Sequence, residues 1–232
     1  MASEISPWSC ILWDVDGTVA DASAGILPRI TQVLTDLGRT PPGPDELSAW
    51  IGPPMLESFQ VRGMLSPEEA VDAVARYREL AAREGYAESV ALYPGVADLI
   101  HAVNAAGVPQ ATASTKPENQ VIAILEHYGL AGCFTSITGA SSDADSLDTK
   151  ATVLAKALER LKEAGVDTSH PVLIGDRHHD VDGATEHDVP VIFVRWGFGT
   201  PGEEEGAIAV VDDIDQLRPL LLSEQSEQSD AA

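Results

Sequence analysis

Ile11-Leu12-Trp13-Asp14-Val15-Asp16-Gly17-Thr18 is the stretch on which the fold turns. A short apolar run fits a buried strand, and it ends in two carboxylates one residue apart, then a glycine and a hydroxyl. Side chains at i and i+2 face the same side while a strand lasts. In open α/β sheets ligands bind at the carboxyl ends of strands. Two acids placed there repel each other unless a cation or a proton intervenes. A solvated acidic turn after a strand would account for this run by itself, so its meaning depends on what the rest of the chain supplies.

A second acidic cluster follows another apolar run, Val172-Leu173-Ile174-Gly175-Asp176-Arg177-His178-His179-Asp180. Gly175 permits a sharp turn, which sets Asp176 at a strand end and Asp180 at a helix start. Carboxylates from two strand ends suit a hard, oxygen-seeking cation, Mg²⁺ above all, and Asp180 also suits a helix N-cap. His178 and His179 are set aside as ligands, because Mg²⁺ prefers oxygen and neighbouring residues at a helix start diverge. A third run, Ala111-Thr112-Ala113-Ser114-Thr115-Lys116-Pro117, again leads from a strand into a polar turn. A hydroxyl, backbone N–H groups at a helix N-terminus and an ammonium make a phosphate cradle. Lys150 opens a helix after the loop Ser141–Asp148. A cation there opposes the helix macrodipole, which makes sense if the side chain faces an anion. Lys156 and Lys162, on the same helix, read as solvated.

Beyond about residue 94, apolar runs (Val108–Ser114, Ser136–Gly139, Val172–Gly175, Val191–Val194, Ile208–Val211) alternate with helix-period segments (Pro94–Ala106, Pro117–Tyr128, Thr149–Ala164, Val181–His187). Such alternation predicts a doubly wound parallel α/β sheet with helices on both faces. Residues 20–90 break it. Ile26, Ile30, Val33, Leu34 and Leu37 form one helical stripe, and Ser66-Pro67-Glu68-Glu69 opens a second helix with a capping box. The expected organisation is an α/β core over 1–19 and 91–222, a small helical domain over 20–90, and a disordered tail over 223–232.

The chain has 232 residues, with 14 basic against 37 acidic side chains and a net charge of −23 at pH 7. That balance argues against nucleic-acid binding and against a polybasic membrane surface. No run approaches the roughly 18 apolar residues of a membrane helix, and the N-terminus lacks a cationic region before its apolar run. Cys10 and Cys133 are too few for a disulfide framework and read as reduced thiols. The expectation is a soluble cytoplasmic protein, monomer or dimer.

Taken together, the four elements resemble the haloacid dehalogenase superfamily of phosphotransferases. Asp14-Val15-Asp16-Gly17-Thr18 matches its first motif, Ser114 its second, Lys150 its third, and Gly175-Asp176 with Asp180 its fourth. The order spans nearly the whole chain, and the helical insert is similar to the small α-helical cap placed after the first motif. Ile51-Gly52-Pro53-Pro54, Tyr93-Pro94-Gly95-Val96, Ser114-Thr115-Lys116-Pro117 and Gly175-Asp176-Arg177 resemble the phosphoglycolate phosphatase-like branch. Thr149-Lys150-Ala151 replaces that branch's Lys-Pro, a variant also found among relatives acting on 5′-nucleotides. The resemblance implies Asp14 as nucleophile and Asp16 as general acid and base. It implies Mg²⁺ at the Asp14 carboxylate, the Asp16 backbone carbonyl and Asp176, with Asp180 acting through water or orienting Lys150. Ser114, Thr115, Lys116, Gly17 and Thr18 would attend the phosphate, and Gly52, Pro53 and Pro54, with Trp50, Phe59 and Arg62 nearby, would face the substrate from the cap. The implied activity is hydrolysis of a small phosphomonoester, phosphoglycolate-like or a nucleoside 5′-monophosphate. A phosphomutase of the β-phosphoglucomutase type shares the first motif and stays open. A non-catalytic ligand- or partner-binding protein would predict a broken motif, and none is seen. Dehalogenation needs no acid such as Asp16, and phosphonoacetaldehyde-type hydrolysis needs a lysine that residues 20–92 lack.

Overall fold

The computed structural model describes residues 4–146 and 148–224. Cys10, Ile11, Leu12 and Trp13 are all fully buried, as in a strand covered on both faces. This strand, β2 (Cys10–Trp13), is preceded by a short β1 (Glu4–Ile5) and lies inside a five-stranded sheet. Its partners are β5 (Gln110–Thr112) on one side and β8 (Pro171–Gly175) on the other, followed by β9 (Val191–Val194) and β10 (Ala209–Val211). The order is β10-β9-β8-β2-β5, and every pairing is parallel. From β2 the chain goes first to β5 and then crosses back to β8, so the strand order reverses around β2. That reversal opens a crevice at the carboxyl ends of the central strands.

The period of two along β2 divides the core. Ile11 and Trp13 pack with α5 (Val96–Ala105) and α9 (Ile214–Leu221) through Leu99, Ile100, Val103, Leu217 and Leu221. Cys10 and Leu12 pack with α7 (Lys150–Glu163) and α8 (His178–Thr185) through Leu154, Leu161, Val181 and Ala184. On the same side as α5, α6 (Glu118–His127) adds Val121 and Leu125.

Between β3 (Ala20–Asp21) and β4 (Ala91–Leu92), which pair antiparallel, lie four helices. They are α1 (Ser23–Asp36), α2 (Pro44–Leu47), α3 (Met55–Val61) and α4 (Pro67–Glu84). The expected stripe of α1 packs Ile26, Ile30, Val33 and Leu34 against Trp50, Phe59, Val74 and Tyr77. The α4 capping box is formed: Glu69 N–H donates to Ser66 Oγ at 3.3 Å and Ser66 N–H to Glu69 Oε2 at 2.9 Å. Residues 37–65 offer no stripe to read, because α2 and α3 are too short to show one.

Several local expectations are corrected. The run 108–114 does not stay in one strand. The chain leaves the main sheet after Thr112 and continues as β6 (Ser114–Pro117), paired with β7 (Gly139–Ala140). Helix α8 begins at His178 rather than Val181, since Asp180 closes its first turn. Lys156 is not merely solvated, because Nζ donates to Glu118 Oε2 at 3.1 Å and to the Gly139 carbonyl at 3.3 Å. Of the expected tail, Ser223–Glu224 form β11, antiparallel to β1. Residues 225–232 lie outside the described residues. No described helix is long and apolar enough to cross a membrane.

Candidate active site

Asp14 is the first residue beyond β2, and its N–H donates to the Ile174 carbonyl at 2.9 Å, which ties it to the end of β8. Lys150, the first residue of α7, reaches it from the other side. The ammonium lies 2.6 Å from Asp14 Oδ1, 2.6 Å from Asp180 Oδ1 and 2.7 Å from the Ala113 carbonyl. A lysine only 5 % exposed is tolerable when paired in this way. The unfavourable placement at a helix N-terminus is thus answered by two anions. Burial would lower the Lys150 pKa, but Asp14 and Asp180 outweigh it and hold the ammonium above its ordinary value.

Asp180 has a second task. Its Oδ2 accepts from the backbone N–H groups of Asp176 (3.1 Å) and Arg177 (3.0 Å), which shapes the turn that presents Asp176. Asp176 is fully buried. Its Oδ1 accepts from Thr18 Oγ1 at 3.2 Å and its Oδ2 from Phe198 N–H at 2.7 Å. Gly17, at φ +93°, forms one wall of this socket. A Cβ there would lie 2.1 Å from Asp176 Oδ2, and one at Gly197 would lie 2.3 Å from the same oxygen. Gly17→Ala therefore meets both backbone strain and a clash with a fixed carboxylate. The expected cost is about 2–4 kcal/mol of stability in chemical denaturation.

Oxygens of Asp14, Asp176 and Asp180 lie within 4.8 Å of one another. Burial pushes Asp14 above the usual carboxylate range, with Lys150 opposing and Asp180 adding. Burial likewise pushes Asp176 well up, reinforced by Asp180 and Asp14. Three buried carboxylates against one ammonium leave excess negative charge, which a divalent cation would relieve. The donors are all oxygens, and the close glycine walls leave carboxylate oxygens facing one another. The residues present therefore fit Mg²⁺.

Asp16, expected to offer the metal its backbone carbonyl, keeps its carboxylate outside this group. It receives Lys116 Nζ at 2.8 and 3.1 Å, which leaves its backbone carbonyl for that role. Burial raises Asp16 and Lys116 opposes the rise. Ser114 is buried, and its Oγ accepts from Lys116 N–H at 3.3 Å. Two expected phosphate-binding hydroxyls are already engaged, Thr18 with Asp176 and Thr115 with the Gly52 carbonyl at 2.8 Å. Asp16 and Lys116 open onto a cleft beneath the helical insert, with Trp50, Gly52, Pro53 and Pro54 along its wall. Phe59 and Arg62 are not part of that wall. Phe59 packs edge-on against Trp50 in the insert's own core, and Arg62 is exposed.

Arg177, quoted in the sequence only as part of the Gly175-Asp176-Arg177 phrase and given no role there, sits between two acids of the fourth motif. It is buried, donates to the Ile51 carbonyl of the insert, and pairs with Glu203 at 2.8 Å. Glu203 also accepts from His178 N–H at 3.1 Å and Thr200 Oγ1 at 2.8 Å, and Arg177 and His178 hold it well below the usual carboxylate range against the effect of burial. His178 Nδ1 lies 2.9 Å from Glu203, which engages this ring with a carboxylate rather than with the acidic triad.

A doubly wound α/β sheet carrying an acidic cluster and a lysine at its switch point, roofed by a helical insert, defines the class. The chain belongs to the haloacid dehalogenase-like hydrolase family, whose model matches residues 11–194. It is 35% identical over 189 residues to the tyrosine-protein kinase PtkA of Mycobacterium tuberculosis. That match covers 82% of this chain but spans only 62% of PtkA. It is 33% identical over 193 residues to a 5′-nucleotidase of Pseudomonas aeruginosa, covering 83% of this chain and 85% of that protein. The crystal structure of a predicted phosphatase from Clostridium acetobutylicum superposes with a TM-score of 0.83 at 30% identity, covering 91% of this chain and 96% of that one.

Proposed function

We propose that this chain hydrolyses a small phosphomonoester, phosphoglycolate-like or a nucleoside 5′-monophosphate, through an aspartyl-phosphate on Asp14, with Mg²⁺ as cofactor and the cytoplasm as its compartment. The observation that carries this reading is the convergence of Asp14, Asp176, Asp180 and Lys150 at one strand-end crevice. Asp14 Oδ attacks phosphorus as the ester P–O bond breaks, and Asp16 gives its proton to the departing alkoxide. Asp16 then takes a proton from the water that attacks the aspartyl-phosphate, which releases phosphate and restores both carboxyl groups. A raised Asp16 pKa favours the protonated form that the first step requires. Lys150 holds the nucleophile in place and offsets its charge against an incoming anion, and Ser114 stands at the phosphate end. Mg²⁺, held by Asp14, Asp176 and the Asp16 carbonyl, would supply positive charge for the transferring oxygens. The insert acts as a cap that excludes water from the cleft. The match spans only 62% of PtkA, so the kinase name of PtkA is not carried over.

Phosphate release should be measured on phosphoglycolate, nucleoside 5′-monophosphates, sugar phosphates and pyrophosphate, with Mg²⁺ and with EDTA. We expect release from a small ester that falls to background in EDTA. Transfer of label between sugar phosphates without free phosphate would replace hydrolysis by the phosphomutase reading. Mg²⁺ should also raise the melting temperature, by an amount equivalent to about 2.7 kcal/mol at a hundredfold excess over its dissociation constant.

A further inference from the structure

Ile51 and Gly52 are consecutive residues of the insert, and both give their backbone carbonyls to side chains of the α/β body. Arg177 Nη1 donates to the Ile51 carbonyl, and Thr115 Oγ1 donates to the Gly52 carbonyl at 2.8 Å. Each donor adjoins a residue of the crevice, Arg177 following Asp176 and Thr115 following Ser114. Arg177 is only 3 % exposed, and Glu203 fixes it from behind, accepting from Nε at 2.8 Å and from Nη2 at 3.4 Å. Gly52, at φ +105°, is fitted to this contact, since a Cβ there would lie 2.9 Å from Arg177 Cγ and 3.1 Å from Nη1. Other ties across the junction run from Arg78 to the Ser141 and Ser142 carbonyls and from Tyr128 Oη to the Val90 carbonyl. None of these involves a residue next to Asp14, Ser114, Lys150 or Asp176.

We propose that Arg177 and Thr115 are positioning residues, whose side chains fasten the cap over the crevice and act through it rather than on the reacting atoms. This rests on the phosphomonoesterase reading and adds to it the device that holds the site closed. Pro53 and Pro54 have fixed φ, so a segment held at two successive carbonyls also sets Trp50 and the rest of the cleft wall. The insert has an apolar core of its own, including Ile30, Phe59 and Val74, which lets it lift as one piece. While fastened, it keeps bulk water from the leaving group. A charged donor makes Arg177 the stronger of the two fastenings. Gly52 and Thr115, expected at the substrate, are thus joined to each other in the service of closure.

The test uses Thr115→Val, which removes one hydroxyl at nearly constant volume, and Arg177→Met, with Arg83→Met on the exposed face of α4 as the unaffected control. Amide hydrogen exchange over residues 48–56 is measured without substrate. It should quicken roughly twofold to tenfold in Thr115→Val and roughly tenfold to a hundredfold in Arg177→Met, the ranges for a neutral and a charged hydrogen bond. Two alkyl esters, phosphoglycolate and uridine 5′-monophosphate, are then compared in kcat/KM with p-nitrophenyl phosphate, an aryl ester whose leaving group needs no proton and depends least on a closed site. Whichever alkyl ester the wild type turns over should lose by the same factors, while the aryl ester holds its rate. Because Arg177→Met also strands Glu203, Thr115→Val decides the matter if the former fails to fold. Unchanged exchange in Thr115→Val, or equal losses on alkyl and aryl esters, overturns the proposal. Faster exchange in a protein that releases phosphate from no ester sinks hydrolysis and keeps the fastening, and hydrolysis with unchanged exchange does the reverse.

Discussion

Asp14→Asn is expected to abolish phosphate release on every ester, by about 10⁴-fold or more, the scale seen when a catalytic nucleophile is removed. The substitution keeps the shape of the side chain, and Lys150 keeps Asp180 and the Ala113 carbonyl as partners. The fold should therefore survive, with circular dichroism unchanged. The same variant has a pH signature. Because burial raises Asp14, the folded protein holds a proton there that the unfolded chain has already lost over the window between the ordinary carboxylate value and the raised one. Stability in EDTA therefore rises as pH falls through that window and levels off below the ordinary value. An amide in place of the carboxyl does not titrate, so a plot of melting temperature against pH should be flatter in the variant. Full activity in Asp14→Asn would end the proposed mechanism.

Lys150→Met is expected to damage both fold and chemistry. Removing one partner of a buried ion pair leaves the other charge uncompensated, at about 3–5 kcal/mol, and here two carboxylates lose the same ammonium. The Lys150 stem is also packed tightly, since a Cβ on Gly183 would lie 2.8 Å from Lys150 Cβ. Asp14 and Asp180 hold the ammonium above its ordinary pKa, so its contribution is complete below that ordinary value and fades only as pH climbs through the raised one. Loss of this pairing should thus be visible across the whole neutral range. Urea denaturation in EDTA measures it, and Mg²⁺ should recover part of the lost stability by replacing the missing positive charge. A variant as stable as the parent in EDTA would show that Lys150 is not the counterion assigned here.

The elements that sequence reading captured are those where a single local rule suffices. β2, β8 and β9 are continuous apolar runs, α7 has a full stripe, and α4 carries its capping box. The acids of the crevice were legible because their strands end in a parallel sheet, where the ends must meet. What escaped depends on partners far along the chain. Arg177 looks like an ordinary charged residue until Glu203 and the Ile51 carbonyl are placed around it. Asp16 and Asp14 read as one pair, yet Lys116 and Lys150 divide them into two separate ion pairs.

One further property follows from the way the insert is attached. It leaves and rejoins the α/β body through a single ribbon, with Ala20 beside Leu92, Asp21 beside Ala91, and Tyr93 N–H bonded to the Val19 carbonyl at 3.2 Å. Two tethers joined edge to edge bend readily together, whereas sliding or swivelling would shear the bonds between them. Any opening of the roof would therefore be a swing about this one edge, like a door hung on adjacent pins, and would first break the bonds of the Ile51 and Gly52 carbonyls to Arg177 and Thr115. Since the two crossing points are neighbours, a tight turn could bridge them in place of all four helices without moving a strand of the main sheet.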